Sequence, residues 1–166
     1  MSAAIPKSEY EARWERAQAA ARERGLAGLV VWSKGGGPVD TVADVLYLAN
    51  HSSPFPLIAD IAGHWIGRAQ SAVVLPVDGE PALVVDLPDW RRDLVPMEDV
   101  RFSLDLPRTI AEVLSDRGLS DARLGLVGGN AMLVSPYRYL LEATPSAELV
   151  EADDLIELLR ADKSPL

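Results

Sequence analysis

The chain has 166 residues, 48% of them apolar and 25% charged, which is the balance of one globular domain with a core of its own. It has no cysteine, which excludes disulfides, thiolate zinc sites and a cysteine nucleophile and fits a reducing compartment. A formal net charge of −9 argues against binding nucleic-acid phosphates, which calls for a basic face.

The first predicted element is a helix. Ser8 and Glu11 have capping-box spacing, and Tyr10, Trp14, Ala17 and Ala21 recur on one helical face. Gly25 is expected to stop the helix in a left-handed conformation. Leu26 to Trp32 is a continuous apolar run, expected as a strand buried on both faces. Ser33 to Pro38 reads as a loop with three glycines, Asp40 to Leu48 as a short helix, or a helix then extended chain, and Asn50 to Pro56 as loop. Ile58 to Arg68 has no clean period. Two apolar runs, Ser71 to Leu75 and Ala82 to Val85, flank Asp78-Gly79, a tight-turn signal for a hairpin. Pro88 is expected to open a short helix through Leu94. Val100 to Leu104 then reads as a strand, Pro107 to Arg117 as a helix closed by Gly118, and Arg123 to Val127 as a strand. Ser135-Pro136 is expected to cap another helix, Leu149-Val150 to form a last strand, and Asp153 to cap the final helix. Alternating helices and strands with one inserted hairpin imply an α/β fold, a mixed sheet with helices on its faces.

The search for chemistry yields little. Gly35-Gly36-Gly37 follows a strand, but no Lys-Ser/Thr follows and the dinucleotide spacing is absent. Gly128-Gly129-Asn130 is explained by turn chemistry. The two histidines, His51 and His64, form no metal-binding pair, and Asp40, Asp44 and Asp60 are scattered. There is no Gly-x-Ser-x-Gly elbow. His64-Trp65-Ile66-Gly67-Arg68 stands apart, with an imidazole, an aromatic ring and a cation within five residues. Arg68 could clamp a carboxylate, Trp65 cover an apolar or cationic group, and His64 donate or accept a proton. A loop with a buried Trp and a solvated Arg accounts for the same residues. No apolar run approaches the ~20 residues of a spanning helix, and residues 1–9 lack the apolar core of a secretory signal, so a cytoplasmic protein with no membrane partner is expected.

The order of these pieces carries a resemblance. An opening helix, the Leu26 to Trp32 strand, Val45-Leu46-Tyr47-Leu48-Ala49-Asn50, the Asp-Gly hairpin, Leu124-Gly125-Leu126-Val127 and the closing Leu-Leu-Arg-Ala-Asp-Lys-Ser-Pro follow one another over nearly the whole chain. Together they resemble the N-terminal domain of the creatinase, prolidase and aminopeptidase P family. Ala49 and Asn50 stand where that family's Tyr-Leu-Thr-Gly stretch has Thr and Gly. The resemblance implies a six-stranded mixed sheet of ribonuclease H-like architecture over residues 1–160. It also implies that residues 161–166 begin a linker to a C-terminal "pita-bread" catalytic domain in the same polypeptide. It places two divalent metal ions (Mn, Co or Zn) and all their ligands in that catalytic domain, and no cofactor, metal ligand or catalytic residue in this chain. The full protein would be a metal-dependent Xaa-Pro aminopeptidase, prolidase or creatinase-type hydrolase. This domain would build a homodimer and close the partner subunit's active site. In creatinase a Phe-Gly-Arg stretch of the domain reaches the partner's substrate. Ile66-Gly67-Arg68 is similar to it, which makes Arg68 the best expected contact, with Trp65 and His64 beside it. The rival expectation is a stand-alone binding or oligomerisation module of the same fold. A free-standing hydrolase using His51 or His64 is a third.

Overall fold

At the centre of the computed structural model, which describes residues 5–35, 41–53, 69–88 and 90–162, lies the apolar run of the first strand. In chain order the elements are α1 (Lys7–Glu23), β1 (Gly28–Lys34), α2 (Ala43–Ala49), β2 (Gln70–Pro76), β3 (Ala82–Val85), β4 (Asp99–Phe102), α3 (Leu106–Asp116), β5 (Arg123–Val127), α4 (Val134–Ala143), β6 (Glu148–Glu151) and α5 (Asp153–Ala161). The six strands form one sheet in the order β4-β3-β2-β1-β5-β6. β2 runs antiparallel to both its neighbours, while β1–β5, β5–β6 and β3–β4 are parallel pairs. The expected mixed sheet flanked by helices is therefore present.

Alternation along β1 divides the core into two layers. Leu29 and Val31 join Tyr10, Trp14, Val45, Leu48, Leu155 and Ile156 on the α1–α2–α5 side. Val30 and Trp32 join Ile110, Val113, Leu114 and Leu140 on the α3–α4 side. A strand covered on both faces needs no polar position, hence its unbroken apolar sequence. The expected α1 face is the one buried, and the Trp14 indole N–H donates to the Leu48 carbonyl at 2.8 Å, tying α1 to α2.

Gly25 and Gly118 close their helices as left-handed residues (φ 67° and 69°). In each, the next residue's N–H reaches back to the helix, Leu26 to Ala21 O at 3.1 Å and Leu119 to Leu114 O at 2.7 Å. The paired bonds of Gly25 to Arg22 O and Gly118 to Ser115 O complete a Schellman motif at both ends. Gln18 on α1 holds the Asp-Gly turn, donating to Pro76 O at 2.8 Å and Gly79 O at 2.9 Å.

Four local expectations are corrected. Ser8 does not cap α1. The helix begins at Lys7 behind an extended Pro6, whose carbonyl accepts the Glu9 N–H at 3.0 Å. Among the described residues 88 and 90–94 there is no helix. Leu94 and Val95 both donate to Arg91 O in a single turn, and Pro96 follows too soon for propagation. Ser135 does not cap α4, because Leu133 takes that position and Pro136 falls in the first turn, where a missing N–H is tolerated. Asp153 does not cap α5. Ala152 occupies the N-cap, and the Asp153 carboxylate turns to another part of the chain.

Candidate functional site

The topology selects one edge of the sheet. From β1 the chain moves to β2, β3 and β4 on one side, then crosses through α3 to β5 and on to β6 on the other side. The boundary between β1 and β5 is thus a switch point, and open α/β sheets bind ligands outside the carboxyl ends of strands at such points.

Three features are built along this edge. The first is the corner where β2 begins. Ala69 is 1% exposed with φ 62°, and its carbonyl accepts the Gly35 N–H. The Gln70 N–H donates to both carboxylate oxygens of Asp86, each at 3.0 Å, and Asp86 is itself 1% exposed at the end of β3. The Ser33 and Ser71 hydroxyls pair across β1 and β2 at 2.8 Å. Arg68, Trp65 and His64 immediately precede this corner in sequence and lie outside the described residues.

The second feature is a cavity of about 230 Å³ at the switch point, lined by Trp32, Thr41, Asp44, Asn130, Glu157 and Arg160, among others. Asp44 on α2 accepts from the Arg160 guanidinium on α5 at 2.7 Å. Burial raises the Asp44 carboxyl above its ordinary value. Arg160 opposes that rise, and the nearby charges of Asp153 and Glu157 add to it. At the wall of the cavity, the Asp153 carboxylate accepts backbone N–H groups from the turn after β5, Gly128 at 2.7 Å, Gly129 at 3.1 Å and Asn130 at 3.3 Å.

The third feature is a larger cavity, about 460 Å³, between α1, α2 and the end of α5. Arg13 lies between the rings of Tyr10 and Tyr47, 4.8 and 4.7 Å from their centroids. Its guanidinium donates to Glu9 at 3.1 Å and to Tyr47 O at 3.0 Å. The cation is engaged by its own domain, so it braces the wall of the cavity. Among the described residues no three His, Asp or Glu side chains are grouped to hold a metal ion. His51 is buried just beyond α2. Among the described residues no helix is long and apolar enough to cross a membrane.

No local signal marks the two backbone-binding carboxylates: Asp86 follows the Ala82 to Val85 run in the chain, and Asp153 stands where a helix cap is expected.

This arrangement of sheet, helices and turns is that of a known domain class. The model of the Creatinase/Prolidase N-terminal domain matches residues 13–161, and the chain belongs to that family. Its fold is shared with the N-terminal domain of cytoplasmic peptidase PepQ from Mycobacterium tuberculosis H37Rv, at TM-score 0.64 and 19% identity, over 90% of this chain and 98% of that one. An Xaa-Pro aminopeptidase from Streptococcus pyogenes superimposes at TM-score 0.67 and 17% identity, over 93% of this chain and 100% of that one. Dipeptidase PepE from Mycobacterium ulcerans does so at TM-score 0.63 and 23% identity, and here 98% of this chain corresponds to only 39% of the other. Comparison with curated proteins finds no match.

Proposed function

We propose that this chain is the non-catalytic N-terminal domain of a creatinase- or Xaa-Pro-peptidase-like metallohydrolase, and that it serves dimerisation and closes the partner subunit's active site. The carrying observation is the family match over residues 13–161. The 39% share of the PepE chain that this fold spans gives it a setting, since the rest of such a chain is available for catalysis. In this reading residues 161–166 begin the linker to a catalytic domain, and two divalent metal ions are bound there.

Arg68 is the residue proposed to reach the substrate, meeting a carboxylate, with Trp65 and His64 as its neighbours. The Asp86–Gln70 corner supports this role, because the chain directly after Arg68 is fixed to the sheet by buried hydrogen bonds. In the full-length enzyme, Arg68→Ala is expected to lower kcat/KM by about 10-fold or more, the scale of a lost charge-assisted hydrogen bond. Unchanged kinetics remove Arg68 from the site.

The 166-residue chain alone is expected not to cleave an Xaa-Pro dipeptide in the presence of Mn²⁺ or Co²⁺. Metal-stimulated turnover by this chain overturns the non-catalytic reading. Light scattering on the full-length protein tests the dimer. A stand-alone binding module is the alternative outcome, identified by a natural reading frame that encodes no metal-binding catalytic domain.

A further inference from the structure

The two edge strands of the sheet, β4 and β6, differ in charge. β6 is bounded by Glu148 and Glu151, both exposed, and the strand itself carries no cation, so a copy of the chain laid against it meets like charge. β4 carries one acid and one base, Asp99 and Arg101, paired at 3.0 Å. Around them Arg117 joins Asp99, Asp116 joins Arg101, and Lys7 meets Glu98. The charges at this edge thus offset one another, in a chain whose formal net charge is −9. At the end of β4 Phe102 is 46% exposed, an apolar side chain on an edge strand.

The backbone direction of β4 follows from one bond. The Ser103 N–H donates to Val85 O on β3 at 2.9 Å. Backbone groups alternate in direction along a strand, so Arg101 also faces β3, while the N–H and C=O groups of Val100 and Phe102 point away from it. Among the described residues no strand pairs with that side. An antiparallel copy of β4 centred on Val100 meets these groups in register. Val100 exchanges both bonds with Val100 of the copy, and Phe102 does so with Glu98 of the copy. The same register sets Asp99 opposite Arg101 of the copy and Arg101 opposite its Asp99, a favourable pairing of charge. Phe102 then lies diagonal to Val100 of the copy, within the reach of an aromatic ring. Other centres within the strand are penalised. Centring on Asp99 or Arg101 sets that charge against itself, and centring on Phe102 sets Asp99 against Asp105.

We propose that β4 is the edge at which two copies of this chain pair, antiparallel about Val100, joining their sheets into one. The inference rests on the dimerisation part of the proposed function and names the surface that serves it.

The test uses the 166-residue chain, which has no cysteine of its own. In sedimentation equilibrium its average mass is expected to rise about twofold with concentration. Val100→Pro removes an outward N–H and no bond to β3, and an edge strand tolerates proline, so this variant is expected to keep the wild-type circular dichroism spectrum and to stay monomeric. Val100→Cys is expected to give a disulfide-linked dimer under mild oxidation, because a hydrogen-bonded pair sets the two Cα atoms about 5.5 Å apart. Phe102→Cys is expected to give none, since in this register the two positions lie about 14 Å apart along the strands. A wild-type chain that stays monomeric, a dimer that Val100→Pro leaves intact, or crosslinking at Phe102 in place of Val100 overturns the proposal. Should Val100→Pro fail to fold, the two cysteine variants carry the test. The same cysteines in the full-length protein separate this surface from the reading it rests on. A full-length dimer with no crosslink at Val100 overturns the β4 surface alone, and a full-length monomer overturns the dimerisation reading itself.

Discussion

Two carboxylates at the same edge of the sheet hold backbone amides in opposite styles. Asp86 is almost wholly buried, and both its oxygens accept the Gln70 N–H. Asp153 is half-buried and accepts the N–H groups of Gly128, Gly129 and Asn130. Burial ranks the two. Water can replace a lost acceptor at the partly open turn, whereas the Gln70 N–H beneath the sheet edge would be left without one. The more deeply buried anchor is therefore expected to matter more to folding.

Substitutions at this edge can break or sharpen that ranking. The largest effect is expected from Gly128→Ala, which drives a methyl group into the Trp32 carbonyl and strains a left-handed backbone together. A loss of more than about 3 kcal/mol in urea unfolding is expected, and a loss below about 1 kcal/mol would show that the turn moves freely. Asp86→Ala comes next, at about 3 kcal/mol, as a charged acceptor is removed from a buried donor. Asp153→Ala follows at roughly 1–2 kcal/mol. If it costs more than Asp86→Ala, burial does not decide and the ranking fails.

The smallest effect lies away from the edge. Asp99 on β4 accepts from Arg101 at 3.0 Å and from Arg117 at 3.0 Å. The hydrogen bond from Arg101, more than the charge of either arginine, holds its carboxyl below the ordinary value of 3.8, against the opposing effect of burial. A lowered folded value means stability that is present above 3.8 and is lost as pH falls through the folded value. Asp99→Asn is expected to cost about 1 kcal/mol at neutral pH, with the gap to the wild type closing in acid. A gap that stays constant with pH would show that Asp99 acts through packing alone.

How much of this was legible from the residues depends on range. The buried strand, the α1 face, the hairpin and both helix-ending glycines follow from periodicity and from neighbours within a few positions, and each stands where it was expected. The misplaced caps at Ser8 and Ser135 share one cause. A polar residue before an apolar helix satisfies the local rule for a cap, but an extended residue, Pro6 or Leu133, holds the cap position instead. At α5 Ala152 holds it, and Asp153 serves residues 128–130, a relation that no local window contains. The edge anchor at Asp86 is hidden in the same way, since its partner precedes it by a whole hairpin. His64, Trp65 and Arg68 fall in the one stretch without a period, outside the described residues, so their role rests on the proposed function.

The central strand has a consequence for assembly. β1 can meet β2 as soon as the first half of the chain exists, but its other side must wait for β5, where Gly28 faces Leu124. Long loops that must close before they are rewarded slow the search for the native state. A chain emerging from the ribosome therefore carries one half of a sheet with a bare apolar flank, Val30 and Trp32 included, until α3 and β5 arrive to cover it. In that interval the half-built sheet is exposed to wrong pairing, and a chaperone that shields β1 until residue 127 is made would raise the yield of folded protein.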